Sequence, residues 1–250
     1  MRIKLTVAYD GTAYVGYQSQ SNGPAVQDAL EKAIFEVYGQ RIRTAGASRT
    51  DSGVHARGNV AVFDADTRMD ASKASYALNA HLPEDIRIVE SKEVPASFHP
   101  RFTDTVKTYS YTIINRRFPD PLTRAFELHW HYPLDDEAMD EAAQMLVGEH
   151  DFASFAAAGF SSNTTVRTIY EASVKRDGDR IRFTVTGNGF LYNMVRIIAG
   201  TLIEIGSGKY PPSHMRQVIE AADRKAAGPT APAKALVLEE IRYPKGDDLL

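Results

Sequence analysis

The stretch "AGASRTDSGVHARG" (Ala45–Gly58) sets one carboxylate, Asp51, among cations and small turn residues. Arg49 and Thr50 precede it, Ser52 and Gly53 follow it, and His55, Arg57 and Gly58 close the segment. Thr-Asp-Ser-Gly is turn chemistry, because an aspartate side chain accepts hydrogen bonds from backbone N–H groups just ahead of it. The flanks, Arg41–Ala45 and Asn59–Asp64, read as strands, so the motif sits on the loop that connects them. Asp51 then has three readings. It is a turn former; or it is one half of a surface ion pair with Arg49 or Arg57, of little energetic value; or it is a nucleophile or electrostatic stabiliser kept ionised by a nearby cation. Glycosidic hydrolysis normally needs two carboxylates, one as proton donor. One acid amid cations suits chemistry that needs an anion and no acid partner.

Outward from the motif, strand and helix signals interleave. Arg2–Tyr9 predicts a strand with Ile3, Leu5 and Val7 on one face and Lys4 and Thr6 on the other. Pro24–Tyr38 predicts a helix with the stripe Val26, Leu30, Ala33, Ile34, Val37, ended by Gly39. A short helix over Ala71–Leu78 and a strand over Arg87–Val94 follow. "VKTYSYTII" alternates, with Lys107, Tyr109, Tyr111 and Ile113 on one face. Asp135–Val147 predicts an amphipathic helix. "TTVRTIYEASV" and "RIRFTVTG", joined by "DGD", predict a hairpin. Helices over Phe190–Ile205 and Pro211–Asp223 and a closing strand in "ALVLEEIRYP" complete the chain. Hairpins in both halves predict an α+β fold with a mixed, mainly antiparallel sheet flanked by helices. Each half holds several strands and two helices, which suggests two related lobes, 1–104 and 105–250.

The 250 residues contain no cysteine, which excludes disulfides, a thiol nucleophile and cysteine-ligated zinc. His129 and His131 flank Trp130 and share a face on a strand; a structural role and a metal site are the two readings, and the structural one is the commoner. The most apolar stretch, "FLYNMVRIIAGTLIEIG", carries Arg196 and Glu204, which argues against a membrane span. The N-terminus lacks a continuous apolar signal core, so a cytoplasmic location is expected. Net charge is −3, yet charge is segregated. Asp135–Asp151 carries seven acids and no Lys or Arg, whereas Arg41–Arg57 carries four arginines and one acid. A basic face for a polyanion can therefore coexist with an acidic total, although ordinary solvated surfaces would give the same counts.

"AYDGTAYVGYQSQ", "AVQDALEKAI", "RTDSGVHA", "FHPRF", "KTYSYTI", "LVGEHDFASF", "VRTIYEASV", "GNGFLYNMVRIIAG" and "APAKALVLEEIRYP" occur in this order along nearly the whole chain. The ordered set resembles the tRNA pseudouridine synthase A (TruA) family. Four positions depart from the usual pattern: Ser48 where Gly is usual, Tyr17 where Trp is common, Asn59 for a frequent Gln, and Ala235 for a usual Gly. None removes a group the chemistry needs.

The resemblance implies a pseudouridine synthase fold with two ferredoxin-like lobes and the active-site cleft between them. It implies conversion of uridine to pseudouridine at positions 38, 39 and 40 of the tRNA anticodon stem-loop, without cofactor or metal, by a homodimer with no membrane association. It matches Asp51 to the catalytic aspartate, Arg196 to the basic residue that pairs with it, and Tyr109 to the tyrosine that contacts the target base. Arg49 matches the arginine that helps displace the nucleotide; His55 and Arg57 complete the expected substrate-binding set. Isomerisation consumes no water, so a second carboxylate is not needed. Attack at C1′, attack at C6 and a glycal route all use an ionised aspartate. A non-catalytic tRNA-binding module is the alternative reading, and a hydrolase that releases uracil is a third.

Overall fold

The computed structural model describes residues 1–159 and 164–244 and divides the chain into two compact units. The first comprises Met1–Val106 and the chain from Val237 onward; the second is Lys107–Leu236. The last strand, counted with 105–250 in the sequence reading, thus belongs with the first unit.

In the first unit, strands β1 (Arg2–Tyr9), β2 (Ala45–Gly46), β3 (His55–Asp64), β4 (Ile86–Val94) and β10 (Leu236–Arg242) surround one core. The sheet order is β4-β1-β3-β10, with β2 also on β3. β1 pairs antiparallel with both β3 and β4, and β10 pairs with β3 in parallel. Gly58 is a glycine because the backbone of β10 passes over it; a Cβ there would stand 2.8 Å from the Glu239 carbonyl oxygen. Helix α1 (Val26–Tyr38) buries Val26, Leu30, Ala33 and Ile34, four of the five stripe residues, and ends at Gly39 in the left-handed region. Helix α2 (Ala74–Asn79) packs on β4.

Two expectations need correction here. The strand before the motif shrinks from Arg41–Ala45 to the two residues of β2, and the strand after it begins at His55 rather than Asn59. The motif's last four residues, His55–Gly58, are therefore strand, and the stretch from Ala47 to Val54 is loop. Lys4 also departs from its predicted polar face. It is buried, with its ammonium 4.9 Å from the Tyr243 ring centroid and 5.9 Å from that of Phe98. An ammonium over aromatic faces keeps favourable electrostatics out of water, so residue type fails to track burial at Lys4, while Ile3, Leu5 and Val7 are buried as predicted.

In the second unit, β5 (Val106–Asn115), β9 (Arg180–Gly187), β8 (Val166–Asp177) and β7 (Gly148–Asp151) pair antiparallel in that order. β6 (Leu128–Trp130) runs parallel to β5. The predicted β8–β9 hairpin closes through Gly178 at φ 56°. Helix α3 (Asp136–Gln144) starts at Asp135, whose side chain accepts from the Ala138 N–H and caps the helix. α4 (Met194–Gly206) is buried along most of its length, and α5 (His214–Ala221) carries Met215 and Val218 inward. Both begin three or four residues later than the sequence suggests. The fold is α+β, with a mixed and mainly antiparallel set of strands.

Candidate active site

The loop carrying Asp51 is held through its flanking residues. On one side, the turn after β1 approaches so closely that only glycines fit. Gly11 lies against the Val54 carbonyl, and Gly16, at φ 119°, lies under the Thr50 carbonyl. Hydrogen bonds follow from that approach. The Tyr17 N–H donates to the Thr50 carbonyl at 3.3 Å, and the Gly53 N–H donates to the Tyr14 carbonyl at 3.2 Å. Within the loop, the Val54 N–H donates to the Asp51 carbonyl at 3.1 Å, closing a turn around the acid. The departure at Tyr17 belongs to this arrangement: its buried ring packs against Gly46 where a Cβ would otherwise stand.

Asp51 itself is half-buried, Arg49 is exposed and Arg57 is exposed, its Nε 3.2 Å from a Glu239 carboxylate oxygen. His55 lies elsewhere in the geometry. Expected among the substrate-binding residues, it is 3% exposed, and its Nδ1 accepts the Gly11 N–H at 2.9 Å. Asp10 Oδ1 stands 3.1 Å from the same nitrogen. Burial works against the Asp10 carboxylate, but hydrogen bonds from the Thr12 hydroxyl and N–H hold its pKa below the usual value. These contacts tie His55 to the Asp10–Gly11 turn, and Gly11 lies against Val54 at the end of the Asp51 loop.

Tyr109 and Arg196, the other two expected catalytic residues, lie in the second unit. Tyr109, on β5, is 7% exposed and meets the Phe190 ring edge-on at 5.1 Å. Arg196 is half-buried on the first turn of α4. Its Nη1 donates to Asn193 Oδ1 at 2.7 Å and its Nε to the Ala231 carbonyl at 2.8 Å. Asn193 holds this position by adopting the left-handed conformation, φ 59°, which asparagine tolerates better than most residues. The Arg196 cation also acts on Tyr111, although burial dominates there and raises the phenol's pKa well above its ordinary value. The sequence reading places Phe190–Asn193 in the helix and singles out neither Phe190 nor Asn193; the turn chemistry of "GNGFLYN" was the available signal.

His129 and His131 lie with ring centroids 6.3 Å apart, and among the described residues no third ligating side chain joins them. Nε2 of His129 instead lies 2.8 Å from the Arg116 carbonyl. No helix of the described residues is long and apolar enough to cross a membrane.

The model of the tRNA pseudouridine synthase family matches residues 5–103 and 142–244. A tRNA pseudouridine synthase A of Acetivibrio thermocellus is 47% identical over 241 residues, covering 96% of this chain and 99% of that one. Those of Syntrophomonas wolfei and Brevibacillus brevis are 46% identical, covering 98% and 97% of this chain and 98% and 99% of theirs. The chain belongs to the tRNA pseudouridine synthase family. It acts on tRNA and isomerises uridine to pseudouridine.

Proposed function

We propose that the enzyme modifies uridines at positions 38, 39 and 40 of the anticodon stem-loop, with Asp51 as the nucleophile. The observation that carries this reading is the Asp51 loop itself. The residues on both sides of one carboxylate are fixed by backbone hydrogen bonds at Thr50 and Gly53 and by close packing on Gly11 and Gly16. Preorganisation of that kind serves a group that must meet a reacting atom; a pure RNA binder gains nothing from a rigidly held anion near phosphates.

The reaction balances without water. The N1–C1′ bond breaks, the uracil turns, a C5–C1′ bond forms, the C5 proton leaves and N1 regains a proton. Asp51 serves this by attack at C1′ or C6, or by deprotonating C2′ on the glycal route. Each route uses the carboxylate form, which a neighbouring cation favours; the resemblance to the family gives that part to Arg196. Extruding the target nucleotide costs a few kcal/mol, and stacking on Tyr109 returns roughly 1–3 kcal/mol. Arg49 fills the vacated space, and Arg57 contacts phosphate. His55 supports the loop from within. By its resemblance to the family, the enzyme works as a cytoplasmic homodimer with tRNA lying across both subunits.

The test is to map the product. An unmodified tRNA transcript with uridines at positions 38–40 is incubated with the protein, labelled with carbodiimide and read by primer extension. Stops confined to those positions are expected. Stops elsewhere in the tRNA would overturn the site assignment, and release of free uracil would show a hydrolase instead.

A further inference from the structure

A short buried hydrogen-bond chain lies beneath the loop that carries Asp51, built from residues outside the motif's acid. Asn59, fully buried on β3, donates its amide N–H groups to the Ser48 carbonyl at 3.0 Å and to the Tyr9 hydroxyl at 3.2 Å. Its amide oxygen accepts the Val60 N–H at 2.9 Å. The backbone partners fix the amide's orientation, since a carbonyl only accepts and an N–H only donates. Tyr9, on β1 and 4% exposed, then meets Thr50 Oγ1 at 2.7 Å. The chain thus ends on both residues that flank Arg49, and Thr50 is the immediate neighbour of Asp51.

We infer that Tyr9 and Asn59 are positioning residues for the isomerisation, acting through Thr50 to set the place of Asp51. The inference rests on the reading of Asp51 as nucleophile. Three buried polar side chains occupy sites where Phe, Val or Leu would fill the core without losing hydration, and a buried network of this kind favours one geometry over its neighbours. The other side of the loop is already gripped by Tyr14, Gly16 and Tyr17 through the Thr50 carbonyl and the Gly53 N–H. The Tyr9–Asn59 chain adds what backbone bonds do not supply: it fixes the Thr50 side chain and the Ser48 carbonyl. Loss of that hold lets the carboxylate drift, and a misplacement of about 1 Å costs on the order of 100-fold in rate.

The test compares Tyr9→Phe, Thr50→Val, the double variant and Thr50→Ser with wild type. Each is assayed for single-turnover rate on tRNA, for tRNA Kd and for Tm, with Asp51→Asn alongside. The expected result is a rate loss of about tenfold or more in Tyr9→Phe and in Thr50→Val. Kd should stay within about twofold, the double variant should be no slower than the worse single one, and Thr50→Ser should recover most of the rate. Wild-type rates in folded Tyr9→Phe and Thr50→Val, with Tm alone reduced, would overturn the inference. Rate and affinity falling together would do the same. If Tyr9→Phe does not fold, the contrast between Thr50→Val and Thr50→Ser decides. An inactive Asp51→Asn beside fully active Tyr9→Phe removes this inference only; an active Asp51→Asn removes the nucleophile assignment beneath it.

Discussion

Gly16 lies so close beneath Thr50 that a Cβ added to it would stand 2.5 Å from the Thr50 carbonyl oxygen. The contact joins the turn after β1 to the residue next to Asp51, so two stretches distant in sequence meet there. Their spacing is set by backbone meeting backbone, with no side chain between.

Gly16→Ala is therefore expected to damage the site as well as the fold. The φ of 119° is itself unfavourable for alanine, at about 1–3 kcal/mol, and relief of the clash must move Thr50. Gly39 provides the control, because it also has positive φ (68°) but open space around it. Gly39→Ala should lower stability by about 1 kcal/mol and leave turnover intact. Thermal melts and single-turnover rates on tRNA measure both. Equal rates in the two variants would show that the Gly16 contact does not reach Asp51.

Asn193 is expected to matter to rate more than to stability. Asn193→Gly relieves the left-handed backbone at φ 59° but deletes the oxygen that holds Arg196 at 2.7 Å. kcat should fall roughly ten- to hundredfold, the equivalent of about 1.5–3 kcal/mol for a hydrogen bond to a charged group, while relief of the left-handed backbone offsets part of the loss in Tm. Asn193→Asp retains the oxygen and should keep more of the rate. A lower Tm with normal kcat would make the contact merely structural.

Acid should weaken the first unit through His99. Burial first, and then the cations Arg101 and Arg2, lower its pKa beneath the ordinary 6.5. Its Nδ1 meanwhile accepts the Arg101 N–H at 3.2 Å, which requires the unprotonated nitrogen. Because the folded pKa lies below the unfolded one, the unfolded chain binds the proton first as pH drops. The stability contribution is whole above about pH 6.5 and is lost as pH falls through the depressed folded value. Melting curves between pH 7.5 and 5 should fall more steeply for wild type than for His99→Asn. Parallel curves would rule the effect out.

Much of this was legible in the sequence where a periodic pattern met a strong stop signal. The α1 stripe ended at Gly39, and the β8–β9 hairpin followed from Asp177-Gly178-Asp179. Boundaries failed where apolar content ran past a turn. Phe190 and Leu191 read as helix, yet Asn193 turns the chain in the left-handed region and α4 starts only at Met194. Pro211 and Pro212 read as the first turn of α5, but they precede it. Gly148–Asp151 was not singled out as a strand, because "GEHD" carries no apolar alternation; its pairing with β8 supplies the order. At the site, Asp51 stood out because a lone acid among arginines is unusual. Tyr9 and Asn193 did not, and Asn59 showed only as a departure from the family pattern, because a buried Tyr or Asn shows its purpose only through its partners.

The most direct measurement follows the C5 proton. tRNA carrying tritium at C5 of uridine is mixed with excess wild-type or Asp51→Asn protein, and tritium release to solvent is timed alongside tRNA binding. The account predicts rapid release with wild type, none with Asp51→Asn, and closely similar affinity for tRNA. Release at the wild-type rate by folded Asp51→Asn would contradict the assignment of Asp51 as the nucleophile.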